Sequence, residues 1–325
     1  MITITKSRWI AVLLLLSAVS IFYSLFKGST LISIYQLFTA LFEGPSTLTS
    51  EIIWHFRLPR TFSAFVTGGL LGLSGAIMQV LLRNPLADPY VLGISGGAAT
   101  MSLFCILAGL TGVWLTGGAW LGSLLAILLV FAFNKKQTSW NTQRVLLTGV
   151  ALASGFSAVI SCILVISSDK ELHGMLFWLL GDLSFARIPF LESGILVAGL
   201  VLSLSLAKQL NILGRGEKEA KSLGINTTRL QLQLYFLSAL LTAAAVALAG
   251  CIGFIGLIVP HTFRLLCGYD HRLLLPGCIL LGGSLLTIAD TLSRTLFAPQ
   301  QIPVGIIMTL TGIPVFLFLL HKNSS

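Results

Sequence analysis

Apolar residues in this 325-residue chain come in long continuous runs, without the strict alternation of half-buried strands. Divided at charges, prolines and glycines, the runs predict ten helical segments, at 9–26, 61–82, 91–110, 117–134, 144–166, 190–208, 230–250, 254–268, 273–293 and 304–320. An apolar helix needs roughly 20 residues to cross the hydrocarbon layer, and most of these runs approach that length. The first follows Lys6 and Arg8, is long and lacks a small-x-small cleavage site, so it reads as a retained helix, not a signal peptide. The eighth is interrupted by Pro260, His261, Arg264 and a turn at 268–272, and is expected to be short and irregular.

Composition removes the alternatives. Hydrophobic residues make up 55% and charged residues 10% of the chain, and the mean hydropathy is +0.94. Too few charged groups exist to coat a water-soluble core. The 32 glycines suit close helix packing in lipid, and the unbroken runs argue against an outer-membrane barrel. The expectation is an all-α polytopic membrane protein of about ten transmembrane helices, in one domain spanning 1–325.

The net charge of +9 does not indicate nucleic acid, because the basic residues lie in short clusters between apolar runs. With ten spans and the N-terminus inside, the cytoplasmic side holds Lys or Arg at 6, 8, 83, 135, 136, 144, 208, 215, 218, 221, 229, 264, 272 and 322, which is 14 of 20. Lys27, Arg57, Arg60, Lys170, Arg187 and Arg294 remain outside, the asymmetry that topology signals produce. Both termini are expected in the cytoplasm. The five cysteines sit in apolar stretches without metal-like spacing and read as packing residues.

Four segments carry chemistry. The cytoplasmic stretch 208–229 contains a glycine-bounded helix with Glu217 and Lys221 in the favourable i to i+4 order and Gly224 placed to end it. It reads equally as a solvated connector or as a docking element for a cytoplasmic protein. Arg57-Leu58-Pro59-Arg60 enters the second span from outside; its arginines either snorkel to headgroups or form an exposed patch for an acidic external partner, with Arg294 on the same side. The turn from Arg83 to Pro89 leads to a glycine-rich helix start, yet no G-x-x-x-x-G-K-[ST] loop occurs, so any ATPase must be another polypeptide. Asp290 is the one carboxylate inside a long apolar run, and Arg294 one turn later favours an ordinary ion pair over a proton pathway. No Ser/His/Asp set or His cluster suggests an enzyme.

In order along residues 50–316, the motifs RLPR (57–60), GAIMQ (75–79), NPLADP (84–89), LLTGVA (146–151), FWLLG (177–181), AGCIGFIGLIVPHTFR (249–264), DHRLLLP (270–276), ADTLSR (289–294) and IPVG (302–305) resemble the permease subunits of type II ABC importers for iron chelates, haem and vitamin B12. The resemblance implies an inner-membrane homodimer with ten helices per subunit, two cytoplasmic ATPase subunits that carry ATP and Mg, and an external substrate-binding protein. It implies a coupling loop at about 209–229, with Gly214, Gly216, Glu217, Ala220, Lys221, Leu223 and Gly224 seated on the ATPase. It implies docking of the binding protein at Arg57, Arg60 and Arg294, and a cytoplasmic gate from Asn84, Leu86, Thr142 and Gln143. The fifth and tenth spans would line the pathway, with Ser154, Ser157, Ser161, Met308 and Thr311 as candidates, although small polar residues also serve helix packing. No cofactor or metal is expected in this chain.

Two other classes compete. A secondary transporter driven by an ion gradient would want paired midplane carboxylates and broken helices, hinted at only by Asp290 and 250–264. A purely structural scaffold leaves the charged loop and the outer arginines unexplained.

Overall fold

The computed structural model describes residues 6–28, 30, 32–44, 47–134, 142–184 and 186–323. Among them there are fifteen α-helices and no strand. Each of the ten apolar runs forms a helix, but the lengths differ. Long apolar helices occupy Arg8–Phe26 within α1 (Lys6–Phe26), the continuous stretch Leu48–Leu81, α6 (Val113–Asn134), α7 (Thr142–Ile166), α12 (Thr227–Ala249) and α14 (His271–Thr295). The run at 190–208 becomes two helices, α9 (Phe190–Ser205) and α10 (Ala207–Leu213), bent by 63°. Three shorter helices fill the remaining runs: α5 (Ile94–Leu107), α13 (Ile255–Cys267) and α15 (Val304–Asn323), whose apolar part is Val304–Phe318.

The second span differs from its expected start at 61. Helix α3 (Leu48–Glu51), following the short amphipathic α2 (Ile34–Glu43), passes through a π-helical turn at Ile52–Arg57 directly into α4 (Leu58–Leu81). Thr47 begins it with a capping box, its hydroxyl accepting from the Ser50 N–H while the Ser50 hydroxyl accepts from the Thr47 N–H. Pro59 sits in the first turn of α4, where a missing N–H costs least, and the Leu58 N–H reaches back to the Ile53 carbonyl.

Helix α4 is the centre of the molecule: 94% of the most apolar stretch of Leu48–Leu81 is buried. It packs on α14, α12 and α13, and α1 crosses α14 on the outside. Backbones touch where side chains are missing. A Cβ on Gly68 would overlap the Gly282 carbonyl, and one on Gly75 would overlap the Gly256 backbone. Such contacts replace the hydrophobic drive that lipid cannot supply between helices. Hydroxyls pair across the same seams, Ser17 with Ser284 at 3.0 Å and Ser74 with Thr242 at 2.7 Å. Helix α7 is the opposite case, with 11% of its apolar window buried.

Candidate functional site

The two polar regions of the chain lie at opposite ends of α4. Its 24 residues span about 36 Å at 1.5 Å per residue.

At the N-terminal end stands a buried ion triad. The Asp290 carboxylate, with no exposed surface, receives the Arg60 Nε at 3.0 and 3.1 Å and the Arg60 Nη2 at 2.9 Å. The Arg294 Nε lies 3.2 Å from the second oxygen, too poorly aligned for a hydrogen bond, so that contact is electrostatic. Arg60 also donates to the Gln301 Oε1 at 2.8 Å, and Arg294 donates to the Ser24 Oγ at 2.9 Å. Arg57 performs a different task. Its Nη1 donates to the carbonyls of Leu25 and Phe26, both at 2.8 Å, and its Nη2 to the Thr30 carbonyl at 2.6 Å. These include the last carbonyls of α1, which have no intrahelical partner, so Arg57 is a cationic C-cap supplied from another helix.

This corrects the exposed basic patch expected from Arg57, Arg60 and Arg294. All three residues are buried, at 4%, 9% and 6% exposure. A guanidinium has five donors in a fixed fork, and here they are spent largely on carbonyls and one carboxylate of the same chain. The expected i to i+4 pairing of Asp290 with Arg294 is present, and Arg60 is the larger partner. Nearby, Arg187 holds the fully buried Glu192 at 2.6 Å.

At the C-terminal end of α4, the chain turns through Arg83 at φ +48° into NPLADP. The Asn84 Oδ1 accepts the Leu86 N–H at 2.9 Å, and the Asp88 Oδ1 accepts the Tyr90 N–H at 2.8 Å, which fixes two successive Asx turns. Asn84 is exposed and Leu86 half-buried. Burial pushes the Asp88 carboxyl up to about 6, against the stabilising bond from Tyr90. Gln143 is exposed near the start of α7; Thr142 opens that helix, and its side chain lies outside the described residues.

The expected coupling segment folds as α11 (Glu217–Ser222), preceded by Gly214 and Gly216 and ended by Gly224 at φ +78°. Its two faces differ. Ala220 is fully buried in the main core, whereas Lys218, Glu219, Lys221, Ser222 and Leu223 are exposed. Ala220 is thereby an anchor and not itself a contact residue. Glu217 pairs with Lys221 at 2.9 Å and lies 3.8 Å from Arg83, which links α11 to the turn after α4. The Lys221 hydrogen bond is the main cause that holds the Glu217 carboxyl below its ordinary range.

Ser154, Ser157 and Ser161 share the exposed face of α7, and Thr311 is exposed on α15. The hydroxyls of Ser154, Ser161 and Thr311 bond the carbonyl four residues back, as membrane-helix hydroxyls do when no other partner is near. Met308 is corrected: at 1% exposure it belongs to the core. The surface of α15 that opens into a cleft of about 310 Å³ carries Gly305, Ile306, Thr309 and Leu310, opposite Leu180 and Cys251. Thr309 was missed because the sequence does not set the rotation of a helix that is apolar on every side.

Apolar helices packed along small-residue seams, with ion pairs gathered toward the two ends of α4, are the architecture of a polytopic membrane protein. The chain belongs to the FecCD transport family, whose pattern matches residues 14–322. It is 42% identical to the hemin transport system permease protein HmuU of Yersinia pestis over 86% of each chain. It is 36% identical to the vitamin B12 import system permease protein BtuC of Citrobacter koseri over 97% of this chain and 94% of that one. A solved inward-facing ABC transporter assigned to the metal-chelate type superposes with a TM-score of 0.86 at 31% identity, covering 98% of this chain and 100% of that chain. The protein is thus a multi-pass ABC transporter permease.

Proposed function

We propose that this permease carries a metal chelate, haem or a corrinoid across the bacterial inner membrane by alternating access driven by ATP hydrolysis on separate subunits. The observation that carries this reading is α11: a short helix anchored by Ala220, with four other residues exposed, an exposed Leu223 after it, and an ionic link to the turn after α4. Two ATPase subunits, with their ATP and Mg, would seat on α11 of each of two permease copies. Closure of the ATPases would move α11 and, through Glu217 and Arg83, the Asn84–Leu86 turn that with Thr142 and Gln143 forms the cytoplasmic gate.

The substrate class rests on the names of the haem and vitamin B12 relatives and of the metal-chelate neighbour. The exposed face of α7 with Ser154, Ser157 and Ser161 would line the pathway between the two copies. Both termini would lie in the cytoplasm. Arg57, Arg60 and Arg294 would shape the external rim on which an acidic binding protein rests, holding α1, α4 and α14 in register beneath it. The ion-gradient alternative loses its main support, since Asp290 is flanked by two arginines.

Reconstitution tests the reading. Permease, ATPase and external binding protein together in liposomes should accumulate ligand only with Mg-ATP inside the ATPase compartment. Accumulation by the permease alone under a proton or sodium gradient would refute it.

A further inference from the structure

A second cleft, of about 730 Å³, opens beside α11 between the ends of α4, α10, α13 and α14. Three guanidiniums, those of Arg83, Arg215 and Arg264, line it with the carboxylate of Asp270 and the rings of His261 and His271; at the rim Arg83 and Arg215 also pair with Glu217 at 3.8 Å and Glu219 at 3.7 Å, which leaves Arg264 as the inner cation. Two of its polar atoms are buried and without a hydrogen-bond partner among the described residues, the Arg264 Nη2 and the His271 Nε2. His271 itself is 5% exposed. An unmatched buried donor or acceptor is costly, so native structures keep few of them without a ligand, ion or water to use them.

The ring of His271 is held in a defined state. Asn211 donates its Nδ2 to the Asp270 Oδ1 at 3.0 Å, which turns its Oδ1 toward His271. That oxygen accepts the His271 backbone N–H at 2.9 Å and faces Nδ1 at 2.6 Å. Nδ1 is therefore the donor, and Nε2 is the ring's free acceptor, open to the hydroxyl of a protonated phosphate or of a glycerol headgroup. Arg264 adds a planar fork matched to phosphate oxygens, with Arg83 and Arg215 toward the rim. Leu265 and Tyr269 complete the lining, 47% and 75% exposed, so the basic wall adjoins an apolar and aromatic edge.

We propose that this cleft binds a phosphate-bearing anion, either the headgroup of an acidic phospholipid from the adjoining leaflet or free phosphate, with Arg264 and His271 as the inner contacts. Basic pockets between membrane helices suit acidic headgroups, and the apolar edge has a place for the first acyl carbons. The inference is independent of what the permease transports.

The test uses the purified full-length chain in nanodiscs. One arm compares phosphatidylcholine with phosphatidylcholine containing about one-fifth phosphatidylglycerol, reading lipid retention by native mass spectrometry. The other titrates inorganic phosphate into phosphatidylcholine discs by calorimetry. Arg264→Gln should lower retention, or phosphate affinity, about tenfold, with Arg264→Lys in between. Arg83→Gln, at the exposed rim, removes one outer charge together with its 3.8 Å contact to Glu217 and should lower it by a smaller factor of about three, and raised salt should weaken it further. Retention in the first arm identifies the lipid as the source; saturable, Arg264-dependent binding in the second arm alone identifies free phosphate. Equal binding by wild type and Arg264→Gln in both arms overturns the proposal. Should Arg264→Gln fail to fold, binding indifferent to both Arg83→Gln and salt overturns it. So does loss of ATPase association in Arg264→Gln with anion binding untouched, which would make the cleft a protein contact.

Discussion

Replacing Asp290 by Asn removes the one negative charge from the triad at the end of α4 while keeping the side-chain volume. In the native chain Arg60 and Arg294 share that carboxylate, for a local sum of +1; the variant leaves +2 in a site where Asp290 has no exposure and the two arginine side chains 11% and 7%. Breaking a buried pair by removing one partner costs about 3–5 kcal/mol, and the Arg60–Arg294 repulsion is no longer offset. The same bookkeeping orders the other two substitutions. Arg294→Met leaves Arg60 and Asp290 as a neutral pair and should be the mildest, whereas Arg60→Met removes both contacts of the better-aligned arginine and should fall between. Urea or detergent titration of the three variants, followed by tryptophan fluorescence, should give destabilisation in the order Asp290→Asn, Arg60→Met, Arg294→Met. If Asp290→Asn stays within about 1 kcal/mol of wild type, or if Arg294→Met is the most damaging, the triad is not held as its geometry indicates.

Further outcomes follow from local geometry. Gly75→Ala should cost about 1–3 kcal/mol because its Cβ would overlap the Gly256 backbone, whereas Gly194→Ala, with open space around it in α9, should be neutral or slightly stabilising; thermal stability of the two proteins in one detergent decides. Ala220→Pro removes the N–H that bonds the Gly216 carbonyl at 3.0 Å, costs α11 about 3 kcal/mol, and should abolish ATP-dependent uptake while membrane insertion, measured by blotting, is unchanged. The Glu217 carboxyl titrates below its ordinary value, so its contribution to α11 is complete above the unfolded value of 4.5 and is lost as pH falls through the lowered one. Hydrogen exchange at Ala220 should therefore be flat from pH 5 to 8 after correction for intrinsic rates, and a loss of protection near neutrality would contradict the pairing.

The apolar runs were legible because lipid forces every spanning segment to satisfy its own backbone, and helices are the solution for continuous apolar sequence. The i to i+4 spacing likewise disclosed Asp290 with Arg294 and Glu217 with Lys221. What spacing could not disclose was Arg60 reaching Asp290 across 230 positions, or Arg57 capping the end of α1, because nothing local distinguishes an arginine turned outward from one turned in. Helices α2 and α8 (Asp169–Leu179) escaped notice for another reason: each is short and mixed in polarity, with no run long enough to mark it. Met308 and Thr309 show the limit on a uniformly apolar helix, where one position separates core from cleft and hydropathy is blind to the rotation.

The backbone contacts of Gly68 with Gly282 and of Gly75 with Gly256 also have a mechanical meaning. Where two helices meet main chain to main chain, no rotamer lies between them to absorb a displacement, so α4 behaves as a stiff lever and its neighbours as the fulcrum. Pivoted at Gly68, the arm of about 15 Å to the N-terminal end of α4, tilted by about 10°, carries that end through about 3 Å. A tilt begun at the Arg83 end would thus reach the Arg60 end nearly undiminished, and the glycines set how little of the stroke is wasted.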